Sequence, residues 1–214
     1  MKSPSPSPSP SPAALPRLHA ITDERVARRK DLPDVARLLG RAGGERLAFH
    51  ARGRGLSGLE HFELASRLAA YPPSHLFVND RLDVALAVGA TGVQLGHTSL
   101  AIDEARGLAA EWWIGKSVHD LAEAEAAHAA GADYLLVGPV FPTPTHPGRA
   151  PMGAARFGAI ARLGIPAIAI GGVSTDRIPA VTDAGAHGVA AIRALWDAAD
   201  PAEAVGRLLE GWEQ

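Results

Sequence analysis

Three short stretches carry residue types able to do acid–base or anion chemistry. In "WWIGKSVHDLAEA", Gly115, Ser117 and His119 fall at i, i+2 and i+4, which on an extended chain puts them on one face. An unperturbed imidazole titrates at about 6.5, so His119 can take or give a proton near neutrality. It directly precedes Asp120 and Glu123, spaced as a capping box that opens a helix. Taken alone, the junction fits a helix-flanking surface histidine somewhat better than an acid–base catalyst.

The second stretch is "RLAFHARGRGLSG". Alternation sets Leu47, Phe49 and Ala51 on one face and Ala48, His50 and Arg52 on the other, with Arg54 in the following loop. Guanidinium groups bind carboxylate or phosphate through two parallel bonds, so this cluster suits an anionic substrate. A solvated basic turn is the plainer alternative. The third stretch, "IPAIAIGGVSTDR", ends an apolar run in Gly171-Gly172, with Ser174 and Thr175 offering a helix N-cap. Glycines let backbone N–H groups approach a phosphate closely.

These stretches recur within an alternating pattern. Strands are predicted at 18–21, 47–51, 76–78, 93–95, 113–117, 134–137, 166–170 and 189–192, with helical patterns such as 34–42, 59–70, 121–130 and 175–184 between them. An internal echo supports the unit. "VGATGVQLG", "AGADYLLVG" and "AGAHGVAAI" each run from a glycine (Gly89, Gly131, Gly185) into an apolar strand. Each glycine suits a left-handed helix end. Strand alternating with helix implies a parallel sheet. Eight units favour a (β/α)8 TIM barrel over a doubly wound sheet, because no G-x-G-x-x-G or P-loop follows the first strand.

Barrel chemistry collects at the C-terminal ends of strands, and phosphate often sits in the loops after strands seven and eight. That rule selects Gly171, Gly172 and the start of the last loop, Ile192 and Arg193, as a phosphate site. It also places Asn79 and Asp80 just past strand three, as helix cap or ligand group. Gln94 and Gly96 face opposite to Val93 and Leu95, and His97 reads as a solvated loop histidine.

Composition excludes several classes. The 214 residues contain no cysteine, which rules out disulfides and thiolate chemistry. A net charge of −2 gives no reason to expect a nucleic-acid or membrane surface, and no apolar run approaches the ~20 residues of a spanning helix. The opening "MKSPSPSPSPSPAALPR" lacks the apolar segment of a secretory signal, so a cytoplasmic protein is expected. Alternating Ser and Pro predicts a disordered tail over 1–16, or a proline-rich docking ligand, preceding a single barrel domain over 17–214.

In order, "LHAITD", "LFVNDRLDVAL", "GKSVHDLAEA", "GADYLLVGPVFPTPTH", "IPAIAIGGVS" and "GVAAI" resemble the thiamine phosphate synthase and TenI-type thiazole tautomerase superfamily across nearly the whole chain after the tail. The resemblance implies a phosphate-binding barrel, and two branches of chemistry. A synthase joins a pyrimidine pyrophosphate to a thiazole phosphate with magnesium. The tautomerase aromatises a carboxythiazole phosphate by proton transfer, without metal or organic cofactor. Departures from the synthase pattern are several. Its Gln-x-Arg-x-Lys run is His50-Ala51-Arg52-Gly53-Arg54 here; one magnesium Asp matches Asp80, but the second is Ser99; and the Thr-x-Thr-Lys loop is Thr143-Pro144-Thr145-His146.

Weakened metal and pyrophosphate binding, together with the Ser-Val-His of "GKSVH", imply the tautomerase, with His119 as catalytic acid–base. His50, Arg52, Arg54, Asn79, Ser117, Thr143, Thr145 and His146 are then expected to bind the thiazole phosphate substrate. Asp80 is a synthase-like feature and would hold magnesium in that branch. A non-catalytic precursor-binding barrel and another phosphosugar isomerase stay open, because fold alone does not fix chemistry. Monomer, homo-oligomer and association with a thiazole-forming partner are likewise open.

Overall fold

The computed structural model describes residues 15–71, 75–144, 148 and 150–212. Eight parallel strands close into a barrel in sequence order: β1 Leu18–Ile21, β2 Leu47–Ala51, β3 His75–Asn79, β4 Gly92–Leu95, β5 Trp113–Val118, β6 Tyr134–Val137, β7 Ala167–Ile170 and β8 Gly188–Ala191. The helices that matter for the site are α1 (Gly58–Leu68), α2 (Leu82–Val88), α3 (Leu121–Ala129) and α4 (Arg193–Trp196). The expected alternation is therefore present, with strand ends moved by at most one residue. The helix expected over 175–184 is shorter, a 3-10 turn at Thr175–Arg177 followed by Ile178–Thr182. Most of the segment expected to be a disordered tail, residues 1–14, lies outside the described residues. Among the described residues, no helix is long and apolar enough to cross a membrane.

Local chemistry explains the ends. Ser57 and Glu60 form a reciprocal capping box at the start of α1. Asp120 caps α3 by accepting from the Glu123 N–H, but Glu123 reaches one residue further back than a capping box requires, accepting from the His119 N–H at 2.7 Å. The three repeated glycines all have positive φ (62°, 88° and 89°), as left-handed helix ends demand.

Burial divides into two layers. Leu47, Phe49, Ala51, Val93 and Leu95 face outward into the shared core between strands and helices. Ile21, Ala48, Phe77, Trp113, Tyr134, Leu136, Ile168 and Ala190 fill the barrel interior. Strand alternation thus sorted both faces as the sequence implies.

Two histidines interrupt that apolar interior. His19 and His50 are both fully buried, and His50 stacks on Phe77 with ring centroids 5.1 Å apart. His19 Nε2 meets the Pro16 carbonyl at 3.1 Å, its Nδ1 meets His50 Nε2 at 2.8 Å, and His50 Nδ1 meets the Asn79 amide at 3.1 Å. Three hydrogen bonds need three hydrogens, and two neutral rings bring two. Burial holds both rings neutral: it depresses His19 strongly and pushes His50 down to about 4. The Pro16 carbonyl can only accept, so His19 Nε2 carries a hydrogen and His50 Nε2 supplies the next. The third must then come from the Asn79 NH2 group, which turns the amide oxygen away from His50.

Candidate functional site

The C-terminal mouth of the barrel holds a cavity of about 570 Å³, within the range of small-molecule sites. Each contributing residue sits at a strand end or in the loop that follows, so the barrel frame sets its position. From β2 come Arg52 and Arg54, from β3 Asn79 and Asp80, from β5 Ser117 and His119, from the β6 loop Thr143, from β7 Gly171 and Gly172, and from β8 Ile192 and Arg193. These sequence-selected residues converge on one space. Thr145 and His146, expected to bind substrate, lie outside the described residues.

His50 departs from its expected role. It does point into the barrel, but it is wholly buried, does not line the cavity, and contacts His19 and Asn79 instead. Alternation reports which way a side chain faces and is silent on its depth along the barrel axis. His97, read as a solvated loop residue, lines the cavity. Arg177 carries no sequence signal of a site role, although it closes the stretch "IGGVSTDR". It lines the cavity, donates to the Gly172 carbonyl, and lies 4.9 Å over the Phe141 ring, which ties the β6 and β7 loops together. Ser174 precedes the short 3-10 turn without a side-chain cap bond.

The electrostatics are one-sided. Among the described lining residues, Arg52, Arg54, Arg177 and Arg193 oppose a single carboxylate, Asp80. Arg52 is partly buried, and desolvation with the neighbouring Arg54 lowers its pKa from the ordinary arginine value, against Glu24 and Asp80, which raise it. Its charge persists at neutral pH. A bound polyanion would relieve the Arg52–Arg54 repulsion.

Asp80 is held by the β4 loop. Its Oδ1 accepts from Ser99 Oγ at 2.5 Å and from the Gly96 N–H at 2.9 Å. It is also the sole non-glycine residue with positive φ (62°) among those described, a conformation that costs of order 1–3 kcal/mol and collects at functional sites. Magnesium is commonly bound by one or two carboxylates completed by substrate phosphates and water. Asp80 supplies that minimum, with Ser99 orienting it, so the residues present fit a magnesium ion.

At Gly171 and Gly172, φ is 93° and 63°. A Cβ on Gly172 would lie 2.3 Å from the Pro142 carbonyl oxygen, and one on Gly171 2.6 Å from Pro139 Cβ. Both positions require glycine for the close packing of the β6 and β7 loops. His119 Nδ1 donates to the Gly138 carbonyl at 2.6 Å, which leaves Nε2 as the lone-pair nitrogen of the neutral ring.

Fold and mouth define a (β/α)8 barrel with a cationic small-molecule site. The chain belongs to the thiamine monophosphate synthase family, whose profile matches residues 18–195. It is 42% identical over 204 residues to a thiamine-phosphate synthase of Salinispora tropica, covering 92% of this chain and 98% of the relative. A Mycolicibacterium gilvum thiamine-phosphate synthase is 47% identical over 133 residues, covering 61% of this chain and 56% of the relative. A Mycobacterium bovis synthase is 46% identical, at 65% of each. The chain thus spans less than two thirds of the length of those two. Among solved structures, a thiamine phosphate pyrophosphorylase from Pyrococcus furiosus superposes with a TM-score of 0.78 at 32% identity, covering 91% of this chain and 94% of that one.

These findings overturn the expected tautomerase. The relatives at 42–47% identity carry the name of the synthase. The expectation treated each departure as a loss of function. Ser99 in fact hydrogen-bonds the retained Asp80, and Arg54 lines the cavity with a full positive charge where the family pattern has lysine.

Proposed function

We propose that the chain is a thiamine-phosphate synthase, joining hydroxymethylpyrimidine pyrophosphate to thiazole phosphate. The observation that carries this reading is the cationic mouth with one hydrogen-bonded aspartate, in a chain matched along nearly its full length to a curated synthase. In this reaction the pyrimidine's methylene carbon gains a bond to the thiazole ring nitrogen and loses its bond to pyrophosphate. Charge therefore develops on the departing pyrophosphate, and that is where fixed positive charge accelerates the step.

Arg52 and Arg54 bind the pyrophosphate and stabilise it as it leaves. Asp80 would hold magnesium, with Ser99 and the Gly96 N–H fixing its carboxylate; the ion would supply positive charge against the leaving group. The Gly171–Gly172 loop and the start of α4, with Arg177 and Arg193, take the thiazole phosphate. Asn79, held from below by His50, offers its amide oxygen to the substrate, and Ser117 and His119 Nε2 line the same wall. The reading is tested by pyrophosphate release. Release should require both substrates and magnesium, and release from the pyrimidine substrate alone would make the protein a pyrophosphohydrolase instead.

A further inference from the structure

One cluster at the mouth brings together nitrogen donors whose metal-binding capacity the scheme above does not use. His97, His119 and Glu123 each present one ligand atom, all within 4.8 Å of one another. The two imidazole rings lie 5.1 Å apart, centre to centre. We infer that these three residues form a binding site for a divalent transition metal of the zinc class, separate in chemistry from the oxygen-only magnesium site at Asp80.

Preorganisation is the first support. The His119 Nδ1–H bond to the Gly138 carbonyl fixes the ring and aims the Nε2 lone pair outward. Metal-ligating histidines characteristically use their second nitrogen in this way. Glu123 is pinned through one oxygen by the His119 N–H, which leaves the other for a metal. His97 follows Gly96, whose N–H donates to Asp80 and Ser99 and whose carbonyl accepts from Lys116 Nζ at 2.7 Å. The loop bearing His97 is thus anchored immediately before it, while the side chain itself is exposed and able to turn.

The donor set is the second. Two histidines and a glutamate are a known zinc-site combination, with the fourth tetrahedral position left open. Ligand atoms around zinc stand about 3.3 Å apart, given Zn–N bonds of about 2.0–2.1 Å. The three ligand atoms, now within 4.8 Å of one another, have to draw in to that spacing, and His97 is the exposed member of the set. Imidazole nitrogen favours zinc, cobalt, nickel and copper over magnesium. His97 and His119 also line the substrate cavity, so the open position would face it. The site stands independently of whether the protein is a synthase.

The test uses the full chain without a polyhistidine tag, stripped of metal and titrated with Co2+ in phosphate-free buffer. The expected result is one equivalent of Co2+ with the intense visible absorption of four- or five-coordinate cobalt, displaced by Zn2+. His97→Ala and Glu123→Gln should each weaken binding by tenfold or more with unchanged circular dichroism, and His128→Ala, on the exposed side of α3, should leave it unaltered. Two outcomes overturn the inference: no absorption change on Co2+ addition, or a signal unaffected by His97→Ala and Glu123→Gln. A weak six-coordinate spectrum lost in Asp80→Asn would place the cobalt at the magnesium position and also refute it.

Discussion

Acidification should destabilise this barrel from the inside, through His50. The perturbation is a fall from pH 7.5 to 5, compared between the wild type and His50→Gln. In the unfolded chain His50 titrates near 6.5; in the folded barrel burial pushes it down to about 4. Between those values the unfolded state holds more protons, so stability rises with pH and is lost as pH falls from about 6.5 towards 4. At pH 5 the unfolded histidine is almost fully charged and the folded one about a tenth charged, a difference worth about 2 kcal/mol. His19, buried beside it, is shifted in the same direction.

Urea unfolding at the two pH values reads this directly. With slopes of about 1–3 kcal/mol per molar for small proteins, the wild-type midpoint should fall by roughly 1 M more than that of His50→Gln. His75 and His187 are also lowered by burial, but they are common to both proteins and drop out of the comparison. Equal midpoint shifts in the two proteins would refute the reasoning, because His50 would then be taking up its proton in the folded barrel.

Three further outcomes follow from the mouth. Asp80→Asn should lower kcat by about 10²-fold or more, since one oxyanion-stabilising or metal-holding group is worth several kcal/mol, while the melting temperature stays within a few degrees; steady-state kinetics across a magnesium titration checks both. Arg52→Gln should raise KM for the pyrophosphate substrate about 10- to 100-fold, the value of a charge-assisted hydrogen bond of roughly 1.5–3 kcal/mol, with a smaller effect on KM for thiazole phosphate. Gly172→Ala should destabilise the protein by about 1–3 kcal/mol through its positive φ, together with the clash at the Pro142 carbonyl, and should weaken phosphate binding measured by calorimetry.

Much of this was legible in the chain because the signals were periodic. Apolar runs after Gly89, Gly131 and Gly185 marked helix ends feeding parallel strands, and the rule that chemistry lies at strand ends then selected Arg52, Arg54, Asp80, His119 and Gly171–Gly172, all of which meet at one cavity. Depth was not legible. His50 and Arg52 share a face, yet a single pleat separates a buried partner of His19 from a group at the mouth. Nor was the reach of Arg177, which follows the glycine pair by five residues and folds back onto the Gly172 carbonyl. The branch of the family was misjudged for a related reason. Ser99 in place of a carboxylate looks like a lost ligand when read as a letter, whereas in three dimensions it is a hydroxyl donating to Asp80.

The most direct test of the central claim is chromatographic measurement of thiamine phosphate from hydroxymethylpyrimidine pyrophosphate and thiazole phosphate, with and without magnesium, by the purified chain. The account predicts thiamine phosphate and pyrophosphate in equal amounts, abolished by chelation and strongly reduced in Asp80→Asn. Binding of both substrates with no thiamine phosphate formed, at any magnesium concentration, would contradict it.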